Sequence, residues 1–162
     1  MTNIFAPSEL AAILRKHQDE GRKVVFTNGV FDIIHRGHVE YLNRARELGD
    51  FLVVAINSDS SVKRIKGQTR PVVAEDDRAF VVSNLKSVDY VCIFGEDTPY
   101  EVIKVLQPDY LVKGADWKVD DVVGKDIVEG RGGKVVTIEY MKGRSTTNII
   151  NKILSGRSLE GK

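Results

Sequence analysis

Apolar positions along the chain follow two alternating rhythms. β-rich runs recur at 23–27, 51–57, 90–94, 109–113 and 134–139. The run at 51–57 is almost continuously apolar, the habit of a strand covered on both faces in a parallel sheet. Between these runs the period lengthens to that of a helix. Leu10, Ile13 and Leu14 recur at helical spacing behind Ser8, which reads as an N-cap, and Gly21 reads as the stop. Val39, Leu42, Ala45 and Leu48 repeat the pattern over 37–48, closed by Gly49. The spacing also predicts helices over 59–65, 75–85, 99–106, 125–130 and 145–154. The second of these has Glu75, Asp76 and Asp77 at its N-terminal end, where negative charge suits the helix dipole. Ser145 reads as the cap of the last. Gly67 and Pro71 mark 66–73 as a loop.

Five strands separated by helices predict an α/β fold: a single Rossmann-like domain with a five-stranded parallel sheet flanked by helices, joined by right-handed crossovers. The domain is expected to span 1–154, with 1–21 as an N-terminal helical extension and 155–162 as a frayed polar tail. Ligands of such sheets bind beyond the carboxyl ends of the strands, where the strand order reverses. That rule points to 28–38, 57–66, 114–117 and 142–147.

Composition narrows the classes further. The 162 residues suit one domain with its own core. Lys and Arg number 24 against 23 Asp and Glu, a net charge of +1, which lacks the basic excess of a general nucleic-acid binder. Cys92 is the one cysteine, so no intramolecular disulfide forms and a reducing compartment is expected. No apolar run approaches the roughly 20 residues of a membrane span, and the N-terminus lacks the pattern of a secretory signal. A cytoplasmic protein is expected, with neither nucleic acid nor membrane as partner. The balanced total conceals a cluster: Lys63, Arg64, Lys66 and Arg70 lie close together, while Glu75, Asp76, Asp77, Asp120 and Asp121 offset them elsewhere.

Phosphoryl chemistry fits the first strand's end. Asn28-Gly29 reads as a tight turn whose amides point at an anion. His35 and His38, three residues apart at a helix start, can face one phosphate, and Gly37 lets a ligand approach the backbone. Neither Cys nor a third His is near enough to complete a zinc site, His17 being on the first helix. After the second strand, Lys63 or Lys66 can neutralise a triphosphate. Asn57, Asp59, Arg70 and Arg78 are candidate phosphate or acceptor contacts, although Arg78 reads equally well as one side of a structural salt bridge. Beyond the fourth strand, Gly114 permits close approach of a base or ribose. Asp116 can accept from ribose hydroxyls, and Trp117 offers an aromatic wall. Beyond the fifth, Ser145, Thr146 and Thr147 present hydroxyls and amides to phosphates.

Thr27-Asn28-Gly29-Val30-Phe31-Asp32 leading to His35-Arg36-Gly37-His38 resembles the cytidylyltransferase-like nucleotidyltransferase superfamily. Its members move a nucleotidyl group from a nucleoside triphosphate to a phosphorylated acceptor and release pyrophosphate. The H-I-G-H string of some aminoacyl-tRNA synthetases is less apt, because this length leaves no room for their tRNA-binding parts. Gly143-Arg144-Ser145-Thr146-Thr147-Asn148-Ile149-Ile150 resembles the branch that adenylylates D-glycero-β-D-manno-heptose 1-phosphate. The R-T-x-G-I-S-T string of glycerol-phosphate cytidylyltransferases is absent.

The resemblance covers about 8–153. It implies that His35 and His38 stabilise the α-phosphate of ATP and that Lys63 or Lys66 neutralises phosphates, spacing leaving the choice open. It implies a cradle of Thr27, Asn28, Gly29, Val30 and Phe31 beside Gly37. Lys113, Gly114 and Asp116 would hold the nucleoside. Gly143, Ser145, Thr146 and Thr147 would close over the β- and γ-phosphates. Mg²⁺ would ride on phosphate oxygens without a firm protein ligand, with Asp32 structural. The acceptor would be a sugar 1-phosphate and the product ADP-heptose for bacterial lipopolysaccharide or other surface glycans. In many bacteria this activity is fused to a sugar kinase. With no kinase half here the stand-alone form is expected, with a homodimer contact over 68–77. Three other readings stay open: a cytidylyltransferase for glycerol 3-phosphate or another acceptor, a non-catalytic nucleotide sensor, and an interaction scaffold.

Overall fold

A computed structural model describes residues 3–141 and 143–156. The chain runs through α1 (Pro7–Asp19), β1 (Val24–Gly29), α2 (Arg36–Arg46), β2 (Phe51–Asn57), α3 (Asp59–Lys66), α4 (Glu75–Ser83), β3 (Tyr90–Phe94), α5 (Tyr100–Leu106), β4 (Tyr110–Gly114), a 3-10 turn (Val119–Asp121), α6 (Lys125–Gly130), β5 (Lys134–Ile138) and α7 (Thr146–Ser155). The five strands form one sheet in the order β3-β2-β1-β4-β5, and every pairing is parallel. The expected Rossmann-like α/β architecture is therefore present.

Strand alternation divides the core into two layers. Val24, Phe26, Val53, Ala55 and Leu111 pack against Leu10 and Leu14 of α1, Val102, Ile103 and Leu106 of α5, and Val128 of α6. Val25, Leu52, Val54, Ile56 and Val112 pack against Tyr41, Leu42 and Ala45 of α2 and Ala79 and Val82 of α4. Both faces of the central strands are thus covered, which explains the unbroken apolar run at 51–57. The order reverses between β1 and β4. Their carboxyl ends diverge there and open the crevice that such sheets use for ligands.

Two local expectations are corrected. Ser8 is not the first helix's cap. The helix begins at Pro7 behind Ala6, whose amide donates to Glu9 Oε2 at 3.3 Å; proline at the first position is pre-set for the helix. Asn28-Gly29 is not a turn, because these residues end β1, paired with Ala55 and Ile56. The chain turns only at Val30. Smaller shifts affect α2, which starts at Arg36, and α4, which stops at Ser83. Residues 157–162 of the expected tail lie outside the described residues. Among the described residues no helix is long and apolar enough to cross a membrane.

Candidate active site

A cleft of about 420 Å³ opens at the β1/β4 divergence. It is lined by Asn28, Gly29, Val30 and Phe31, by His35 and His38, by Lys66 and Arg70, and by 144–147, with Arg144 close to His35. The N-termini of α2 and α7 meet there. A β-carbon on Gly37 would lie 3.0 Å from the His35 ring and 3.2 Å from Arg144 Cβ. A side chain there would have to push these neighbours back by a few tenths of an ångström, so the glycine favours the close approach, and each helix start brings a positive dipole end.

The local sequence sets the proton on each histidine. His35 caps α2, and its Nδ1 accepts the Gly37 amide at 3.1 Å. His38 Nδ1 accepts the amide of His35 at 3.4 Å. A neutral imidazole has one acceptor and one N–H, so both rings carry the proton on Nε2. The rings stack with centroids 3.9 Å apart. Burial, reinforced by Arg144, lowers the His35 pKa. Burial, reinforced by His35, lowers that of His38 to about 4. Both are therefore neutral donors at pH 7. Phe31 adopts φ +48° and lies buried beside His38, ring centroids 5.3 Å apart. A β-carbon on Gly29 would sit 3.0 Å from that Phe31 ring, so the glycine admits the ring that backs His38.

The depressed His38 pKa predicts a pH effect on stability. The unfolded chain binds this proton near pH 6.5 and the folded chain only near pH 4, so the unfolded state binds more protons between them. His38's contribution to stability is complete above pH 6.5 and is lost as pH falls through that window. Urea unfolding at pH 7 and pH 5 should therefore show a wild-type loss about 2 kcal/mol larger than that of His38→Gln. An equal loss in the two proteins contradicts the assignment.

Other expected site residues sort by partner. Lys66 lines the cleft and Lys63, one turn earlier on α3, does not. Arg70 lines the cleft while its Nε bonds Asp32 at 2.7 Å. Burial opposes ionisation of Asp32, but the Val72 and Val73 amides and Arg70 hold its pKa below the ordinary value. Asp32 thereby pins the loop after α3 to the site. Ser145 Oγ caps α7 by accepting from the Asn148 amide at 3.0 Å. Thr146 Oγ1 donates to the Ile33 carbonyl at 3.3 Å, tying α7 to the β1–α2 loop. Gly143, at φ +75°, makes the turn into α7.

The structure places several expected site residues away from the open cleft. Thr27 is fully buried, its hydroxyl shared between Tyr41 Oη at 2.8 Å and the Val112 carbonyl at 3.0 Å; its side chain supports the floor without reaching the cleft. Arg78, 1 % exposed, donates to the carbonyls of Val73, Val30 and Asn57 and to Asp59 Oδ1. Neither Arg78 nor Asp59 lines the cleft, and their pairing is structural. Gly114 is covered by the Tyr140 ring, with which a β-carbon there would collide, and Asp116 lies beside them. Lys113 and Asn57, with Trp117, line a separate chamber on the other side of Asn28.

Three cleft residues escaped the sequence reading. Tyr41 and Tyr140 stack at 5.1 Å, and Arg144 stands beside His35. Tyr41 was detectable, being three residues beyond His38 on one helix face. Tyr140 and Arg144 come from the far edge of the sheet, and only the fold brings them in.

A sheet in 3-2-1-4-5 order that gathers phosphate-seeking groups at its reversal is a mononucleotide-binding α/β domain. Paired neutral imidazoles at that point suit donation to phosphate oxygens, as the nucleotidyltransferase resemblance implies. The chain belongs to the cytidylyltransferase-like family, whose model matches residues 26–152. It is 55% identical over 144 residues to the bifunctional protein HldE of Citrifermentans bemidjiense, covering 89% of this chain and 29% of that protein. The chain thus spans about a third of the length of the curated relatives it matches. The crystal structure of a lipopolysaccharide core biosynthesis protein from Thermoplasma volcanium is 33% identical, with a TM-score of 0.64, over 75% of this chain and all of that one. Pantothenate synthetase from Thermus thermophilus shares the fold, at 19% identity and a TM-score of 0.62 over 92% of this chain and 67% of that one.

Proposed function

We propose that the protein transfers AMP from ATP to a sugar 1-phosphate, heptose 1-phosphate by the resemblance of 143–150, and releases pyrophosphate. The observation that carries the chemistry is the pair of neutral Nε2–H donors at the meeting point of two helix N-termini. In this reaction an acceptor phosphate oxygen attacks the α-phosphorus of ATP. The new P–O bond forms as the bond to the bridging oxygen breaks, and the electron pair leaves with pyrophosphate. No proton must move. The protein's work is positioning and charge stabilisation. His35 and His38 donate to the α-phosphate oxygens as charge accumulates there. The amides opening α7 hold the β- and γ-phosphates, and Lys66, Arg70 and Arg144 neutralise the leaving group.

The cleft's donor set suits Mg²⁺ delivered on the triphosphate. Its carboxylate, Asp32, is already occupied by Arg70 and two amides, which leaves cations and N–H groups facing the ligand. Bound Mg²⁺ would supply charge neutralisation on the phosphate oxygens. A homodimer through 68–77 belongs to the same reading. Exposed Val72, Phe80 and Val81 at that edge support it, and sedimentation of the purified protein tests it.

Pyrophosphate release over a grid of ATP and CTP against heptose 1-phosphate, other sugar 1-phosphates and glycerol 3-phosphate tests the function. ATP with heptose 1-phosphate is expected to give the highest kcat/KM. A preference for CTP with glycerol 3-phosphate, or ATP binding without pyrophosphate release from any acceptor, overturns it. Within the same assay Lys66→Ala should lower kcat/KM for ATP about 10- to 100-fold, as loss of one charge-assisted hydrogen bond implies. Lys63→Ala should stay within about threefold. The reverse ranking would move the role to Lys63.

A further inference from the structure

Two arms of the phosphate cleft come from segments far apart in the chain. Residues 28–38 carry the histidines, and 66–73 carry Lys66 and Arg70. Asp32 joins them. Its side chain is 1 % exposed, and both carboxylate oxygens are engaged. Oδ2 accepts from Arg70 Nε at 2.7 Å, Oδ1 accepts from the Val73 amide at 2.8 Å, and the Val72 amide is shared between the two at 2.9 Å.

Two neutral amide hydrogen bonds would suffice to staple one loop to another, and a buried carboxylate is a costly way to provide them. The pairing with Arg70 adds an orientation. A guanidinium is a planar fork with one Nε–H and four Nη–H donors. With Nε held by Asp32, the plane of the fork is set. Among the described residues neither Nη of Arg70 donates to a protein acceptor. Its side chain is 18 % exposed and lines the cleft. Nearby arginines differ. Arg78 gives Nε and both Nη groups to protein acceptors, and Arg64 gives Nε to Asp97 and Nη2 to the Gly95 carbonyl. Arg70 is anchored at one edge and open at the other.

We propose that Asp32 is a positioning residue for the nucleotide: its carboxylate anchors Arg70 by Nε and so turns the open Nη edge toward the β- and γ-phosphates of ATP. The inference rests on the transferase reading above. Donation from a guanidinium to phosphate oxygens depends on the direction of the fork as well as on its charge. A fork fixed before the ligand arrives loses little freedom on binding. Asp32 also stands three residues before His35 in the chain. The segment that carries the donors for the α-phosphate therefore also sets the donor for the leaving group, which holds the two at a fixed spacing for in-line displacement.

Calorimetric titration with ATP on Asp32→Asn, Arg70→Met and the double variant tests this. Asparagine keeps the shape and an acceptor oxygen for the two amides but loses the ion pair. Each single variant should weaken ATP binding about 10-fold, as loss of one charge-assisted hydrogen bond implies, and the double variant should be at most about threefold worse than Arg70→Met. A larger further loss means that Asp32 does not act through Arg70 and overturns the assignment, as does an Asp32→Asn variant within about threefold of wild type. In pyrophosphate release Asp32→Asn should raise KM for ATP and leave KM for the sugar 1-phosphate within about threefold; equal rises indicate a general collapse of the cleft and overturn it as well. Should Asp32→Asn fail to fold, Arg70→Lys decides. Lysine keeps the charge but has no fork to anchor, so its ATP affinity should stay within about threefold of Arg70→Met, and recovery to the wild-type value overturns the assignment. A wild type that binds ATP but releases no pyrophosphate with any acceptor sinks the transferase reading instead, and the calorimetric cycle then judges Asp32 and Arg70 by itself.

Discussion

Replacing His38 with alanine should lower kcat at saturating ATP by about 10²–10³-fold, the cost of one lost transition-state donor. The size follows from preorganisation. Backbone amides already hold His38 Nδ1 and His35 Nδ1, so neither Nε2–H must be reoriented or deprotonated as charge builds on the α-phosphate. Phe31 and the His35 ring fix the imidazole from two sides, which keeps the donor in place without a cost at the moment of reaction. Because the donation strengthens only as charge develops, kcat should fall while KM for ATP changes little. Combining His38→Ala with His35→Ala should cost less than the sum, since stacked residues act as a unit. A turnover of His38→Ala within about threefold of wild type removes the histidines from the chemistry.

Arg78→Met should cost about 3–5 kcal/mol of folding stability, read from urea unfolding. Methionine fills much of the volume but donates nothing. Three backbone carbonyls and the Asp59 carboxylate then lose their partner, the Asn57 carbonyl in a fully buried setting. Folded domains keep only about 5–15 kcal/mol in total, so this variant should approach the unfolding threshold. It should also lose activity beyond its fraction unfolded. Arg78 ties Val30, in the cleft floor, to Val73, in the loop that Asp32 pins beside Arg70. A loss below about 1 kcal/mol would make the Arg78 contacts worth no more than a surface ion pair and overturn this role.

Those two residues mark how far the sequence was legible. His35 and His38 could be placed from text because their geometry is local. A helix start, a glycine two residues on and imidazoles at one-turn spacing determine one another over four positions. Arg78 could not, because three of its four partners, Val30, Asn57 and Asp59, lie in other segments. The same limit separates Lys66 from Lys63. Both are on α3, and only the α3 axis relative to β1 decides which one faces the cleft. Thr27 shows the converse: a motif residue at the end of β1 whose hydroxyl is engaged by Tyr41 and the Val112 carbonyl beneath the cleft floor. At Gly114 the group that approaches the bare backbone is the Tyr140 ring, from a distant segment.

The period of the apolar positions determined the elements and their alternation, because backbone pairing and burial repeat every two or 3.6 residues within a short window. Local caps and glycines determined the histidine pair. The tertiary structure decided which charges meet a ligand and which meet the protein. Strand order 3-2-1-4-5 brings Arg70 to Asp32, Arg78 to three carbonyls and Lys113 to a neutral amide. A cation's role depends on whether an acceptor from a distant segment already satisfies it. That pairing is set by how the strands stack side by side, a relation that a linear sequence read over short windows does not contain.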